Sequence, residues 1–373
     1  MKFKTEKDVI AEAIGGPVRA AISKGVSSYN VPSLKLKLKN NELEVVGSDP
    51  DLVISTKANV SGEQDGEVIV QAKLFQDIIR ALDSGVVHIF SNDDEVTIIS
   101  GKAEFKVREP VGGELTLLTK AEGEGSTLPT KILAEALNQV IRAALDDNSR
   151  APQLSAVLFA KLDDGVRLVA TDSYRLAYRD IKNINVIEDA EEDVLIPART
   201  LEELQRIIQL KPDLESINFI HSDTDAIFIV GESKLSTRLI RGPFPDYHRL
   251  LPSGYEKYAT VEKDAFINAI NRIKLLLRDS KDTSSPIKLN FSSSGIDIDV
   301  ITPENGSAHE SIEAEYIGEE TLIAFNPNYL LDGIKAIYSE KVVINIIDSS
   351  KPATIKAEDD DDYNYLLMPV RIS

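Results

Sequence analysis

The chain contains no cysteine and only two methionines and four histidines in 373 residues. Without cysteine there are no disulfides, thiolate metal sites, iron–sulfur clusters or cysteine nucleophiles, which fits a reducing compartment. The histidines, His88, His221, His248 and His309, are scattered, and none has a second histidine at metal-ligand spacing. His88 lies beside apolar neighbours in a strand pattern and reads as structural. No run of 18 apolar residues occurs, and Met1-Lys2-Phe3-Lys4-Thr5-Glu6 lacks the apolar stretch of a signal peptide. The expectation is a cytoplasmic chain with no membrane partner. Glycine-rich phosphate loops, G-x-S-x-G elbows and H-E-x-x-H helices are missing as well, so no catalytic residue, metal or cofactor is assigned. Positive charge is the scarcer sign: 42 Lys and Arg against 61 Asp and Glu leave −19. Such a charge repels nucleic acid and anionic membranes at long range, so any nucleic-acid role depends on how the charge is distributed.

With 42% hydrophobic and 28% charged residues, the composition is that of an ordinary globular protein long enough for several cores. Its organisation is repetitive. Thr5-Glu6-Lys7-Asp8-Val9-Ile10-Ala11-Glu12-Ala13-Ile14 resembles Val261-Glu262-Lys263-Asp264-Ala265-Phe266-Ile267-Asn268-Ala269-Ile270, with Leu128 to Leu137 between them. Matching Ala13, Ala136 and Ala269 gives offsets of 123 and 133 residues. A second set, Val70 to Leu82, Ile196 to Ile208 and Phe325 to Ile337, follows the first by about 65 residues. Phe75, Ile78, Ile79 and Leu82 form a helical stripe, as do Leu201, Leu204 and Ile208. Between the helices the chain alternates as half-buried strands do, for example over Leu34 to Leu38, Val86 to Phe90, Ile217 to Ile220 and Ile296 to Val300. Turns at Asn40-Asn41, Asp163-Asp164-Gly165 and Ser293-Ser294-Gly295 separate strand pairs at hairpin distance. The fold class is therefore α+β, three units at about 1–125, 126–252 and 253–373, each of two helices packed on antiparallel sheet. Gly123-Glu124-Gly125-Ser126 and Pro252-Ser253-Gly254 read as the linkers. Gly15-Gly16-Pro17 is expected to kink or split the first helix, because proline removes a donor and crowds the preceding turn.

Charge is segregated. The six helical spans carry 13 Lys and Arg against 9 Asp and Glu; the remainder carries 29 against 52. Were all six helices to share one surface, it would be basic within an acidic protein; mixed solvated helix faces explain the count equally well. The run Glu358-Asp359-Asp360-Asp361-Asp362 offers hard-cation ligands or, more simply, a solvated loop.

Three segments are too particular for scaffold: Ala170-Thr171-Asp172-Ser173-Tyr174-Arg175-Leu176-Ala177, the proline-stiffened Gly242-Pro243-Phe244-Pro245-Asp246-Tyr247-His248-Arg249-Leu250-Leu251-Pro252, and the terminal Tyr365-Leu366-Leu367-Met368-Pro369-Val370-Arg371-Ile372. The last reads as a final strand or, through Met368, as an adaptable peptide-binding surface. In this order, in a three-unit chain of this length, they resemble the bacterial sliding clamp family, the beta subunit of DNA polymerase III. The family patterns A-T-D-x-x-R-L-A, G-x-F-P-D-Y-x-x-L-P and terminal M-P-x-R match closely.

The resemblance implies a head-to-tail homodimer of three DNA-clamp domains per protomer, a non-catalytic ring around duplex DNA with helices lining the hole. It implies DNA-facing positions at Lys24, Lys73, Arg80, Arg142, Arg199 and Arg206. It also implies a pocket for a short apolar peptide carried by the replicative polymerase alpha subunit, the clamp loader, repair polymerases and other clamp-binding proteins. The matching positions are Leu154, Thr171, Ser173, Tyr174, Arg175, Leu176, Pro245, Arg249, Leu250, Asn326, Tyr329, Leu366, Met368, Pro369, Val370 and Arg371. Leu176, Leu250, Leu366, Met368 and Val370 would form its floor, with Arg175 orienting the peptide. For the dimer, Phe105 and Val107 would meet Leu275 and Leu276, with Arg272, Arg278 and Lys281 facing Glu104 and Glu109 at the rim. The second and less favoured reading makes the two leucines core residues of their own helix. Ser173-Tyr174 stands where relatives commonly have Gly-His, which keeps a second reading open: a clamp paralogue with a repair or resistance role and altered loading. A carboxylate hydrolase using Asp172 or Asp246 is a third, with no spacing in its favour.

Overall fold

In the computed structural model the described residues are 1–22, 31–92, 94–110, 115, 125–146, 151–187, 193–252, 254–277, 285–303 and 305–371. One order of elements recurs three times, with a single described strand, Val194–Pro197, in the second repeat where the other two have a pair before the second helix. The first repeat is β1 (Lys2–Glu6), α1 (Lys7–Ala21), β2 (Ser33–Lys39), β3 (Glu42–Ser48), β4 (Leu52–Asn59), β5 (Ser61–Gln64), β6 (Gly66–Gln71), α2 (Ala72–Ala81), β7 (Val86–Asn92), β8 (Glu95–Ser100) and β9 (Ala103–Arg108). The second is β10 (Ser126–Pro129), α3 (Thr130–Val140), β11 (Ala156–Leu162), β12 (Gly165–Thr171), β13 (Arg175–Lys182), β14 (Val194–Pro197), α4 (Ala198–Gln209), β15 (Ser216–His221), β16 (Asp225–Val230) and β17 (Ser233–Arg238). The third is β18 (Lys257–Glu262), α5 (Lys263–Ile273), β19 (Ile287–Ser292), β20 (Gly295–Thr302), β21 (Gly306–Ile312), β22 (Glu315–Ile317), β23 (Thr321–Phe325), α6 (Pro327–Lys335), β24 (Lys341–Ile346), β25 (Ala353–Ala357) and β26 (Tyr363–Leu367). The sequence repeats fall at the same strand-to-helix junctions each time.

The chain divides into two compact units: residues 1–131 with 199–239, and 132–198 with 240–373. In the first, one antiparallel sheet runs β10-β15-β16-β17-β4-β3-β2-β6, so β4 of the first repeat pairs with β17 of the second; a second sheet runs β5-β1-β7-β8-β9. In the second unit, β14-β11-β12-β13-β26-β25-β24-β18-β22 is joined by the β13–β26 pair, and β21-β20-β19-β23 stands apart. Among the described residues, β9 and β21 each stand at the edge of a sheet. Alternation does the packing: Leu34, Leu36 and Leu38 of β2 are buried beside Leu43 and Val45 of β3, under Ile10, Ile14, Phe75 and Ile79 of the helices.

Contrary to the expectation of a break, α1 runs through Gly15-Gly16-Pro17 as one helix. Its glycine–proline stretch is a packing surface. Gly16 and Pro17 are buried, and a Cβ on Gly16 would lie only 3.1 Å from the Ile54 side chain. Of the expected linkers, Gly123, Glu124 and Ser253 lie outside the described residues. The acidic run Glu358 to Asp362 is largely paired: Asp360 with Arg179, Asp361 with Lys356 and Asp362 with Lys182. It is a salt-bridged loop, and among the described residues no cluster of three or more acidic or histidine side chains is arranged to hold a metal. No described helix is long and apolar enough to cross a membrane.

Candidate partner-binding site

Register across the joined sheet of the second unit decides which side chains meet. Thr171, Leu176, Leu366, Thr354 and Asn345 stand opposite one another on five adjacent strands, and so share a face. One step along, Val169, Tyr178 and Asn364 do the same. Together with Leu251, Pro252 and Tyr255 this face bounds a cavity of about 210 Å³, lined also by Leu176, Tyr178, Asn345, Thr354, Lys356, Asn364 and Leu366. Its floor is apolar, and its walls carry hydrogen-bonding groups that are neutral apart from Lys356. Burial pushes the Tyr178 and Tyr255 hydroxyls upward, which keeps them protonated. Asn345 Nδ2 donates to Thr354 Oγ1 at 3.2 Å, and Lys356 is engaged by Asp361. The lining has the size and polarity that suit an apolar side chain with amides beside it.

A second cleft of about 400 Å³ lies among Leu158, Ala160, Leu195 and the Gly242 to His248 segment. The apolar cluster between them holds Leu176, Leu366 and Tyr178 together with Leu158, Leu195, Tyr247 and Phe244. Arg167 braces this face, with two hydrogen bonds to Asp180 at 2.6 and 2.8 Å and its guanidinium 4.3 Å from the Tyr178 ring centre.

The residues named from the sequence divide. Leu176 and Leu366 line the first cavity and Pro245 the second. Arg175 does not orient anything in the cavity. It faces Leu367, one residue out of phase with Leu176, so its side chain leaves from the opposite face. There it binds Asp172 at 2.9 Å and Asp332 at 2.5 Å and lies 4.3 Å over the Tyr329 ring. Burial works against its charge, but the Tyr365 hydroxyl and the two carboxylates outweigh it and hold the guanidinium above its ordinary value. Asn326 caps α6 by accepting from the Asn328 and Tyr329 amides, and Tyr329 takes the Tyr365 hydroxyl on its carbonyl at 2.8 Å. These are structural duties.

Around them, Ser173 adopts φ 78° in a tight turn, and Asp172 Oδ1 accepts the amides of Tyr174 and Arg175. Tyr174 is left 64% exposed, stacked 6.4 Å from Tyr329, and its carbonyl accepts the Met368 amide. Thr171 is buried, with its hydroxyl donating to the Arg175 carbonyl. Met368 and Leu250 are exposed; Arg249 is exposed and paired with Asp246. Leu154 is half-buried in a single 3-10 turn, Pro369 and Val370 are half-buried, and Arg371 is exposed. Sequence reasoning missed Tyr178 and Asn364, although each lies two residues from a named leucine on the same strand, where the strand period places it on the same face. Asn345, Thr354 and Tyr255 carried no local signal.

Elsewhere, Lys73, Arg80, Arg142, Arg199 and Arg206 are all exposed, and four are engaged: Lys73 with Asp77, Arg142 with Asp332, Arg199 with Asp49, and Arg206 with Glu203. Lys24, Arg278 and Lys281 lie outside the described residues. On the edge strand β9, Phe105 is 37% exposed, but Val107 is buried at 7% as part of the first core, so it is not a surface anchor. Leu275 is 52% exposed and Leu276 half-buried. Arg272 is engaged by Glu310 of its own chain.

Comparison with known proteins follows the same division. Models of the DNA polymerase III beta subunit match its N-terminal domain at residues 1–110, its central domain at 127–246 and its C-terminal domain at 248–371. The chain belongs to the DNA polymerase III beta subunit family. Beta sliding clamps of Streptomyces coelicolor and Bacillus subtilis are 28% and 29% identical to it over the full length of both chains. Among solved structures, the Bacillus subtilis sliding clamp (TM-score 0.89, 28% identity) and a Bartonella birtlesii sliding clamp bound to griselimycin (TM-score 0.90, 26% identity) each match over all of both chains. The function is that of a DNA sliding clamp, a processivity factor without catalytic activity.

Proposed function

We propose that two copies of this beta-family chain close head to tail into a ring on duplex DNA, and that the cavity floored by Leu176 and Leu366 takes an apolar anchor of the proteins the ring tethers. The observation that carries the ring is the pair of edge strands. Wherever two repeats meet within the chain, β4 of one pairs with β17 of the next, or β13 with β26. The corresponding strands of the third and first repeats, β21 and β9, lack such a neighbour within the described chain. An unpaired edge is a template for another strand, and two copies joined β21 to β9 leave neither edge open. The boundaries near 125 and 252 then separate three clamp domains per protomer. Lys73, Arg80, Arg142, Arg199 and Arg206 are the proposed loose phosphate contacts, because a ring that slides is served by modest attraction rather than a tight site. The tethered partners are the polymerase alpha subunit, the clamp loader and repair polymerases, in the cytoplasm and at the nucleoid when loaded.

The cavity is tested by fluorescence polarisation with a labelled Gln-Leu-Ser-Leu-Phe peptide, and with griselimycin, which the Bartonella birtlesii relative binds, as competitor. The expected result is micromolar peptide binding by the wild type and loss of it in Asn364→Trp, which fills the cavity from a half-buried position. Undiminished binding by a folded Asn364→Trp overturns the assignment of the site.

A further inference from the structure

The repeats align by residue count along their helical segments, in which α3 and α5 continue into 3-10 turns at Ile141–Ala143 and Lys274–Leu277 while α1 runs on to Ala21. The first helices begin at Lys7, Thr130 and Lys263, and the second at Ala72, Ala198 and Pro327. Counted from these starts, Arg19, Arg142 and Leu275 are equivalent, as are Asp77, Glu203 and Asp332. At the two junctions within the chain these positions meet as ion pairs. Arg19 binds Glu203 where the first repeat joins the second, and Arg142 lies 3.6 Å from Asp332 where the second joins the third. Each acid is held by a second cation as well, Glu203 by Arg206 and Asp332 by Arg175.

We propose that at the junction between subunits Leu275 of one copy faces Asp77 of the other, so that this junction lacks the ion pair that both intrachain junctions carry. The inference rests on the head-to-tail dimer proposed above. Asp77 keeps the acidic character of its equivalents but is 54% exposed and held, among the described residues, only by Lys73 of its own helix at 2.8 Å. Leu275 is exposed on its own protomer, as an interface residue must be. Leucine in place of the arginine leaves the junction that has to part and re-form without a charge pair that both intrachain junctions hold and that salt would screen.

A double-mutant cycle tests the pairing. The dimer dissociation constant is measured by sedimentation velocity for the wild type, Leu275→Arg, Asp77→Asn and the double variant, at low and high salt. The apolar burial that goes with Leu275 and the Lys73 pair that goes with Asp77 each drop out of the cycle, which leaves the coupling between the two positions. The expected result is a favourable coupling of roughly two- to fivefold at low salt, as for other exposed pairs, shrinking as salt rises. No coupling, with Leu275→Arg changing the constant equally in both backgrounds, overturns the inference and leaves the dimer standing. A wild-type chain that stays monomeric throughout overturns the dimer reading and the inference together.

Discussion

Gly47 and Pro17 touch backbone to backbone: a Cβ built on Gly47 would stand 1.9 Å from the Pro17 carbonyl oxygen. Strand β3 approaches α1 this closely because one side of the contact has no side chain. Since the obstacle is main chain, a rotamer change cannot relieve it. Gly47→Ala is expected to destabilise the first unit by about 2–3 kcal/mol, as overpacking does, read as a lower urea midpoint. An unchanged midpoint would contradict the contact.

Arg175 holds a polar network on the sheet face away from the cavity, and Asp172 keeps only 6% of its side chain exposed beneath it. Removing the cation leaves that carboxylate desolvated without its partner. Arg175→Ala is expected to cost about 3 kcal/mol of stability, the scale for breaking one side of a buried pair. Peptide affinity of the fraction that remains folded should change little, whereas a direct peptide contact would lose affinity without loss of stability.

His309 hydrogen-bonds Asp299 at 2.8 Å through Nδ1, and this bond, reinforced by the Asp299 charge and then by Asp297, raises its pKa above the ordinary histidine value. The sign follows from the direction: the pairing is fully present below the ordinary value and is lost as pH rises through the raised one. An NMR titration should place His309 above an unperturbed histidine, and Asp299→Asn should bring it back. Identical titrations in both proteins would refute the pairing.

The proposed junction between subunits has a definite register. The first residue of β4 faces the fifth of β17, Leu52 with Thr237, and the first of β13 faces the fifth of β26, Arg175 with Leu367. By the same rule Gly306 faces Val107 of the second copy, and Ala308 faces Phe105. In a chain free of cysteine, Phe105→Cys with Ala308→Cys should oxidise to an intersubunit disulfide seen on a non-reducing gel. Phe105→Cys with Ser307→Cys, one residue out of register, should not; the reverse preference would contradict the register.

Much of the fold was legible because it is local. Leu34 to Leu38 alternates and is a strand, Phe75 to Ile79 is spaced for a helix and is one, and the threefold repetition exposed two helices on antiparallel sheet in each unit. What escaped depended on partners distant in sequence. The packing of α1 at Pro17 against β3 needs a glycine at position 47, thirty residues on, and the joining of β4 to β17 links residues some 180 apart. The motif around Thr171 to Leu176 marked the right strand, but its alternate residues serve opposite faces. Leu176 lines the cavity while Arg175 holds α6, a distinction that resides in the register with β26 rather than in the motif.

The central claim is a closed ring linked topologically to DNA. Its most direct test is retention: clamp loaded by a clamp loader onto nicked circular DNA is separated by gel filtration before and after the circle is cut once. The account predicts that the protein travels with the intact circle and runs off the cut molecule. Equal retention on both would show binding by affinity and contradict the ring.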